Sequence, residues 1–372
     1  MYHVYWLADM GGTSELNIVH QYGFVAPTMT ASTGKSGVTV TISQIKTLSN
    51  GLGFVVQLSD GSFIIVDGGR ASGSGGDHAQ HVTLYNTMKS LNGGSEKNIV
   101  IRAWVLTHAH GDHVEAFQDF SATYASKVTL ENIFYASTAN TYYAGFEEDV
   151  ASFAGVNLVS VHTGMRFAFK DILIDFLYAP SELYKNFTTD DFNNSSLIFS
   201  FKHILSGYSM TFLADAGDDA CNRLVDIYGS TGAIYTDMIQ VSHHGYEDAP
   251  ISVYEALGVS AGVVDYLWFP ANQSLYEQAY SNAYNTASTV DGSMHDRNGA
   301  VLDYLWDSGV KHLFANLDGC GNYSSFSVLD KQAGQYMLEW QDGGALYFYT
   351  VSTSSKKAAS IPTIEPPVNP YS

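Results

Sequence analysis

The chain has 372 residues, 45% of them hydrophobic and only 15% charged, enough apolar material for one large domain or two smaller ones. Its 37 acidic and 17 basic residues leave a formal net charge of −20. That balance works against tight, non-specific nucleic-acid binding, which needs basic surface to displace counterions, but it does not exclude a phosphate ester as substrate, because bound cations reverse a local field. No apolar stretch approaches the ~18 residues of a membrane-spanning helix.

Residues 1–37 show weak periodicity and read as an N-terminal extension or an extra hairpin; the main domain is expected over 38–350. From Val38, VTVTISQI alternates with period two, as a half-buried strand does. GFVVQLSDGSFIIVDGG follows as two strand-like runs turning at Asp60-Gly61, a hairpin signal, and the second run ends in Asp67-Gly68-Gly69. A Gly/Ser loop over 71–76 leads to a helix expected from Asp77 to about Leu91. Ile99 to Leu106 reads as a buried strand, Val114 to Ser126 as a helix, Asn132 to Tyr135 as a strand and Tyr142 to Phe153 as a helix. Further strands are expected at Leu158–His162, Arg166–Phe169 and Ile172–Tyr178, then a polar loop from Pro180 to Asn194.

Leu197–Leu205 and Ser209–Leu213 form a second expected hairpin, followed by a helix over Asp218–Tyr228 and strands at Met238–Val241 and Tyr266–Phe269. A polar insert over 271–299 carries Tyr276, Tyr280 and Tyr284 at helical spacing. A helix at Val301–Trp306 and strands at His312–Ala315 and Ser325–Leu329 close the domain, and 351–372, with its prolines, reads as a flexible tail. Strands in two blocks with helices between them suit an α+β fold of two packed sheets. Cys221 and Cys320 are too few for a disulfide framework and read as free buried thiols or a single bridge. The N-terminus lacks a basic region followed by an apolar core, so no signal peptide is read there. The composition, rich in Tyr (25) and Gly (34) and poor in Lys and Arg, nonetheless resembles bacterial surface and secreted proteins, which slightly favours that location over the cytoplasm and leaves the compartment open.

Residues able to hold a metal ion gather just past four apolar runs: Asp67, then His108, His110, Asp112 and His113 in WVLTHAHGDHV, then Asp215 in MTFLADAGD, then His243 and His244 in IQVSHHG. Imidazole nitrogens beside carboxylate oxygens suit zinc or another first-row divalent ion. If the strand ending at Leu106 continued its alternation, His108 and His110 would share one side, and Gly111 would bring Asp112 and His113 round from a turn. Weaker candidates for substrate contact are His78, after the Gly-rich loop, and Arg297 in the insert.

This set resembles the metallo-β-lactamase superfamily. The family's H-x-H-x-D-H pattern is met by His108, His110, Asp112 and His113; its early Asp matches Asp67, its metal-bridging Asp matches Asp215, and its last histidine matches His243 or His244. Two further stretches, NNSSLIFSF from Asn193 and SHHGY from Ser242, look like the competence-protein (ComEC-type) subgroup, and the teichoic-acid phosphorylcholine esterases are similar in pattern. The resemblance covers about Val38 to Leu329. It implies an αββα sandwich, two packed mixed β-sheets with helices on the outer faces. It also implies two divalent ions, zinc first, with manganese or iron as alternatives. His108 and His110 would hold one ion, Asp112, His113 and His243 or His244 the other, with Asp215 bridging and Asp67 accepting a ring N–H.

The implied activity is hydrolysis of a small-molecule or cell-wall phosphoester, a phosphodiester in that subgroup's manner, by a metal-activated water, with Asp67, Asp112 and Asp215 as the acidic residues of the site. A lactamase, lactonase or thioesterase of the same fold, or a surface binding module without turnover, are the alternatives. Two departures stand out. Many members carry a histidine where this chain has Asn193 and Asn194, and the histidines between His113 and Asp215 are only His162 and His203. Glu115 stands where the competence-type proteins have a small residue.

Overall fold

The computed structural model describes residues 40–44, 51–71, 80–136, 142–180, 192–204, 207–229, 231–245, 249–270, 300–301, 304–305, 307–314, 336–340, 346–351 and 356–358. In chain order the first half comprises β1 (Val40–Gln44), β2 (Gly53–Gln57), β3 (Phe63–Asp67), α1 (Gln80–Leu91), β4 (Ile99–Val105), α2 (Gly111–Tyr124), β5 (Val128–Leu130), β6 (Asn132–Tyr135), α3 (Phe146–Ala151) and β7 (Asn157–Ser160). The second half comprises β8 (Arg166–Phe169), β9 (Ile172–Tyr178), β10 (Ile198–His203), β11 (Ser209–Phe212), α4 (Asp218–Tyr228), β12 (Met238–Gln240), α5 (Ile251–Ala256), β13 (Tyr266–Phe269), β14 (Lys311–Phe314), β15 (Tyr336–Trp340), β16 (Leu346–Val351) and β17 (Lys356–Ala358).

Among the described residues these strands make two mixed sheets. The first runs β17-β16-β15-β1-β2-β3-β4-β6-β7, with β5 beside β4, and the second runs β14-β13-β12-β11-β10-β9-β8. Each sheet has an antiparallel part and a parallel part. In the first, β3, β4, β6 and β7 are parallel, and in the second β11 to β14 are parallel. Parallel neighbours place their carboxyl ends along one edge, where loops leave the sheet and polar groups need not be buried in the ladder.

Period-two alternation explains how one short strand serves two cores. Phe54, Val56, Ile64, Val66, Ala103 and Val105 face the second sheet and share its apolar cluster, whereas Val55, Phe63, Ile65, Ile101 and Trp104 pack under α1 and α2. The sheets meet through aromatic rings: Phe54 stands edge-on to Phe212 and to Trp268, at centroid distances of 5.2 and 5.1 Å. Polar staples join the same layers. Ser59, in the β2–β3 turn, donates from its backbone N–H and its hydroxyl to the Asp171 carboxylate in the β8–β9 turn, at 2.7 and 2.8 Å. Ala220, Cys221 and Leu224 of α4 and Val253 and Tyr254 of α5 join the cluster of the second sheet, and Cys221 is a buried free thiol. The result is the α+β sandwich of two mixed sheets with helices that the sequence leads one to expect.

Several boundaries differ from expectation. The strand before the histidine cluster stops at Val105, and the helix after it begins at Gly111 rather than Val114. The helix expected over Tyr142–Phe153 is shorter, Phe146–Ala151, because Gly145 at φ 93° precedes it. Helix α5 and strands β5, β15 and β16 have no counterpart in the sequence reading, and β17 falls inside the stretch expected to be a flexible tail, paired antiparallel with β16. The N-terminal extension over 1–37, the tyrosine-bearing insert over 271–299 and the strand expected at Ser325–Leu329 lie outside the described residues. No helix among the described residues is long and apolar enough to cross a membrane.

The inter-sheet contact gives a direct test. Phe54→Ala is expected to lower unfolding free energy by ~3–5 kcal/mol, the cost of emptying a fully buried aromatic site. Leu158→Ala, at an edge strand where the side chain is 38% exposed, is expected to cost no more than ~0.5 kcal/mol. Urea denaturation of both variants would check the contrast.

Candidate metal centre

The five residues after β4 carry the first two histidines. His110, at φ −68° and ψ 145°, is the N-cap of α2, so Asp112 and His113 occupy its first helical turn. His108 and His110 therefore sit on an extended link rather than on a continued strand, which corrects the alternation argument. What fixes the link is Asp67, the last residue of β3 and a parallel neighbour of β4. Asp67 is fully buried, and its Oδ1 accepts the backbone N–H of Thr107 at 2.8 Å while its Oδ2 accepts the Thr107 hydroxyl at 2.7 Å. The Trp104 indole N–H closes the arrangement by donating to the Asp67 carbonyl at 2.9 Å.

These bonds decide which ring nitrogens face inward. A carboxylate only accepts, so the 2.7 Å contact between Asp67 Oδ2 and His113 Nδ1 is an Nδ1–H donation. The Thr107 hydroxyl has already given its one proton to Asp67. Its oxygen therefore accepts from His108 Nδ1 at 3.1 Å, with Ser196 Oγ a second neighbour at 3.3 Å. A carbonyl also only accepts, so His244 donates Nδ1–H to Pro270 O at 3.2 Å. Three buried histidines are thus tied back through Nδ1, which leaves Nε2 as the nitrogen each presents to the centre. This is how protein metal sites orient imidazole ligands. His108 Nε2 lies 3.0 Å from His110 Nδ1, a separation suited to two ligands of one ion at ~2.0–2.1 Å each.

The second sheet supplies the other side. Asp215 follows β11, and His243 and His244 follow β12, its parallel neighbour. One oxygen of Asp215, Oδ2, faces three imidazoles: His113 Nε2 at 3.0 Å, His244 Nε2 at 3.4 Å and His243 Nε2 at 4.0 Å. The other, Oδ1, is buried with no hydrogen-bond donor. The turns that carry these groups are strained. Of the six non-glycine residues with positive φ among those described, Asp67, Ala214, His243 and His244 are at this site. Such backbone costs about 1–3 kcal/mol per residue and persists only where the surroundings impose it. Here Gln240, fully buried on β12, imposes it: its Oε1 accepts the Ala214 N–H at 2.7 Å, and its Nε2 donates to Ala214 O at 3.1 Å and Val241 O at 2.7 Å. The His243 N–H adds a bond to Ala214 O at 2.9 Å.

The electrostatics favour a cation at the centre. Burial alone would depress the His113 pKa, but Asp215 and Asp67 on either side outweigh it and hold the ring well above the usual histidine range. Burial would raise Asp215, yet His113 and His244 hold it well below the usual carboxylate range. Burial, reinforced by the charge on His113, keeps His108 well below its usual value, and burial also lowers His110. Held low, His108 and His110 are neutral with inward lone pairs, while His113, held high between two carboxylates, would yield its Nε2 proton to a divalent ion bound beside the ionised Asp215.

Two groups of three could each hold an ion, their ligand atoms all within 4.8 Å of one another: His108, His113 and Asp215, and Asp112, His113 and His244. They share His113. His110 joins through His108, and His243 stands at the rim with 26% of its side chain exposed, against 1% for His244. A buried carboxylate oxygen without a donor and inward-turned imidazoles fit the divalent ions that the sequence resemblance implies.

Asn193 and Asn194 form a short 3-10 turn beside the cluster, with Asn194 Oδ1 accepting the Ala220 N–H at 3.2 Å. Glu115, the unusual residue after His113, folds back to accept the Ala71 N–H at 2.9 Å and so ties the start of the Gly/Ser loop to α2. His78 and Arg297 lie outside the described residues. Thr107, Ser196 and Gln240 were not singled out from sequence. The signal for Thr107 was its place between an apolar run and the first histidine; Gln240, one polar residue in a buried strand, carried no comparable sign.

The sequence matches no protein-family model and no curated protein. Solved structures with some likeness include the metallo-β-lactamase fold protein YhfI from Bacillus subtilis, 12% identical with a TM-score of 0.41, the alignment covering 74% of this chain and 96% of that one. Another is CmlA, a diiron β-hydroxylase from Streptomyces venezuelae, 12% identical with a TM-score of 0.41 over 76% of this chain, which spans about half (53%) of that protein's length. A third is MEM-A1, a subclass B3 metallo-β-lactamase from a soil metagenome library, 12% identical with a TM-score of 0.35, covering 73% of this chain and 93% of that one.

Because His244 is anchored at Nδ1 and faces Asp215, His244→Ala is expected to weaken divalent-ion binding more than His243→Ala does. Competition titration against a chromophoric chelator would rank the two, and an equal or larger loss for His243→Ala would reverse the assignment. Thr107→Val, which removes the acceptor for His108 Nδ1, is expected to weaken binding by ~10–100-fold, with Thr107→Ser close to wild type.

Proposed function

We propose that the chain is a dinuclear metal-dependent hydrolase of the metallo-β-lactamase type acting on a phosphoester, specifically a phosphodiester. The observation that carries this reading is the set of three buried histidines, His108, His113 and His244, tied back through Nδ1 so that Nε2 of His113 and of His244 faces Asp215 while Nε2 of His108 faces His110. Such a set has no packing purpose, and its cost in strained backbone is met only if something binds there. His108, His110 and Asp215 would hold one ion, and Asp112, His113 and His244 the other, with Asp215 between them. Bound there, the pair of divalent ions, zinc, manganese or iron, would supply Lewis acidity that acidifies a water and neutralises charge on a substrate oxygen.

The chain's own residues have separable tasks. Asp67, Thr107 and the Pro270 carbonyl hold protons at Nδ1 and so keep the rings from turning. Asp67 and Asp215 are sealed from solvent, with relative exposures of 0% and 1%, whereas Asp112 is half-buried. Asp112 is therefore the carboxylate of the site that lies toward its solvent side. Substrate reaches the centre from the side of His110, Asp112 and His243, the ligand candidates that are not fully buried. The similarity of the Asn193 and Ser242 stretches to the competence-protein subgroup supports a phosphodiester over a lactam. The net charge of −20 is no obstacle, since two divalent ions invert the local field.

The test is hydrolysis of bis-p-nitrophenyl phosphate with metal content measured in parallel. Turnover is expected to vanish on chelation, return on adding Mn²⁺ or Zn²⁺, and fall ~10–100-fold in Asp67→Asn. Clear lactam or lactone turnover with none on any phosphodiester would replace the substrate class. Full metal loading with no turnover on a broad ester panel would point to a binding module.

A further inference from the structure

One more carboxylate stands beside the centre and takes no part in its ligand set. Glu115 lies three residues past Asp112 on α2 and four past Gly111, so the three share one surface of the helix. Its side chain leans back toward the helix start, as helical side chains do. A Cβ built on Gly111 would meet Glu115 Oε1 in hard contact and would stand 2.9 Å from its Cδ and 3.4 Å from its Cγ. The carboxylate therefore lies against the residue that joins His110 to Asp112, both of them ligand candidates on the solvent side. His110, Gly111, Asp112 and Glu115 are all half-buried, so this carboxylate belongs to the rim rather than to the sealed interior.

Two backbone bonds fix the group there. Glu115 Oε2 accepts the Ala71 N–H at 2.9 Å, and the Gly69 carbonyl accepts the Ala116 N–H at 3.0 Å, so the chain leaving β3 is laced to α2 on both sides of Arg70. Neither bond neutralises the charge. The partner of Glu115 is a backbone amide, and Arg70 is exposed and makes no ion pair among the described residues. Asp67, Asp112 and Asp215 carry three formal negative charges and Glu115 a fourth, which matches the formal charge of two divalent ions. A centre balanced in this way offers no gain for a second negative charge on a substrate, and that charge would meet the Glu115 carboxylate at the rim.

We infer that Glu115 is a specificity-determining residue, which favours a singly charged phosphodiester over a doubly charged phosphomonoester. This assignment rests on the reading of the site as a two-metal phosphoesterase centre. A diester carries one negative charge, whereas a monoester carries two above its second ionisation at pH ~6. Glu115 acts through its charge, and the bond to Ala71 keeps that charge beside His110 and Asp112. Unit charges ~8 Å apart interact by an amount worth roughly 5- to 30-fold in binding when the effective dielectric constant lies between ~40 and ~20. The ordinary work of such a glutamate, complementing the helix dipole and tying down a loop, would give no preference between the two esters.

The experiment compares kcat/KM for bis-p-nitrophenyl phosphate and p-nitrophenyl phosphate in the Mn²⁺-loaded full chain at pH ~8, where the monoester is doubly charged. Binding of inorganic phosphate, followed by calorimetry, is a second readout, with metal content and circular dichroism confirming loading and folding. Glu115→Gln keeps an oxygen for the Ala71 N–H and loses the charge. It is expected to lower the diester-to-monoester ratio by roughly 5- to 30-fold and to tighten phosphate by a similar factor. Glu115→Asp keeps the charge on a shorter arm and is expected to hold the ratio close to that of wild type. The opposite pattern, wild-type selectivity in Glu115→Gln and altered selectivity in Glu115→Asp, would reduce Glu115 to a loop tie and overturn the assignment. A wild type that cleaves the diester with a ratio indifferent to both substitutions would overturn it alone. A loaded wild type that cleaves neither ester would overturn the phosphoester reading and the assignment with it.

Discussion

One buried chain of contacts holds the two halves of the molecule in register at the site: Asp67 Oδ2 to His113 Nδ1 at 2.7 Å, then His113 Nε2 to Asp215 Oδ2 at 3.0 Å. Asp67 ends β3 of the first sheet, and Asp215 follows β11 of the second, so a single imidazole spans the seam of the sandwich. All three groups are essentially sealed from water. Removing one partner would leave an uncompensated buried charge, typically a loss of ~3–5 kcal/mol, and would also free the ring that both candidate ligand groups share. Stability and any ion binding are therefore coupled at His113, which both candidate ligand groups share.

The topology explains why the seam falls where it does. In each sheet an antiparallel block hands over to a parallel one, at β3–β4 in the first and β11–β12 in the second. The strands on both sides of each handover release their loops on the same edge, and the apolar layer between the sheets, from Phe54 and Phe212 to Trp268, sets how closely the two edges approach. The left-handed turns at Asp67, Ala214, His243 and His244 then bend each chain inward as soon as its strand ends. No side chain in these turns is a glycine substitute chosen for ease. The strain is held by Gln240, which satisfies both backbone groups of Ala214 from within the neighbouring strand.

Much of this was legible in the residues. The hairpin at Asp60-Gly61, the strands at Arg166–Phe169, Ile172–Tyr178 and Tyr266–Phe269, and the helix at Asp218–Tyr228 all carry clear periodicity, and each is present. The ligand-type residues declared themselves by being polar at the ends of apolar runs, and the structure gathers Asp67, His108, His110, His113, Asp215 and His244 into one cluster. Three kinds of information were not legible. Strand ends next to a cap are ambiguous, so the link at His108 looked like strand until His110 was seen to cap α2. Short helices such as α5 have too few turns to show a period. The choice between His243 and His244 depends on a backbone carbonyl, Pro270 O, that lies 26 residues further along the chain, and no local pattern encodes such a contact.

The same geometry argues for a division between what is rigid and what is permitted to vary. The inward nitrogens of His113 and His244 are fixed by acceptors that belong to the framework, a strand-end carboxylate and a backbone carbonyl. His108 is fixed at one remove, through the Thr107 hydroxyl, and its other neighbour, Ser196, arrives on a loop-borne turn. His110 is less buried, with its ring packed edge-on against His108 and Phe192. Order therefore falls off from the seam toward the mouth. The hydrolase proposed above would gain from this gradient: the deep ligands keep the centre in place, and the outer ones can adjust as a substrate enters and a product leaves.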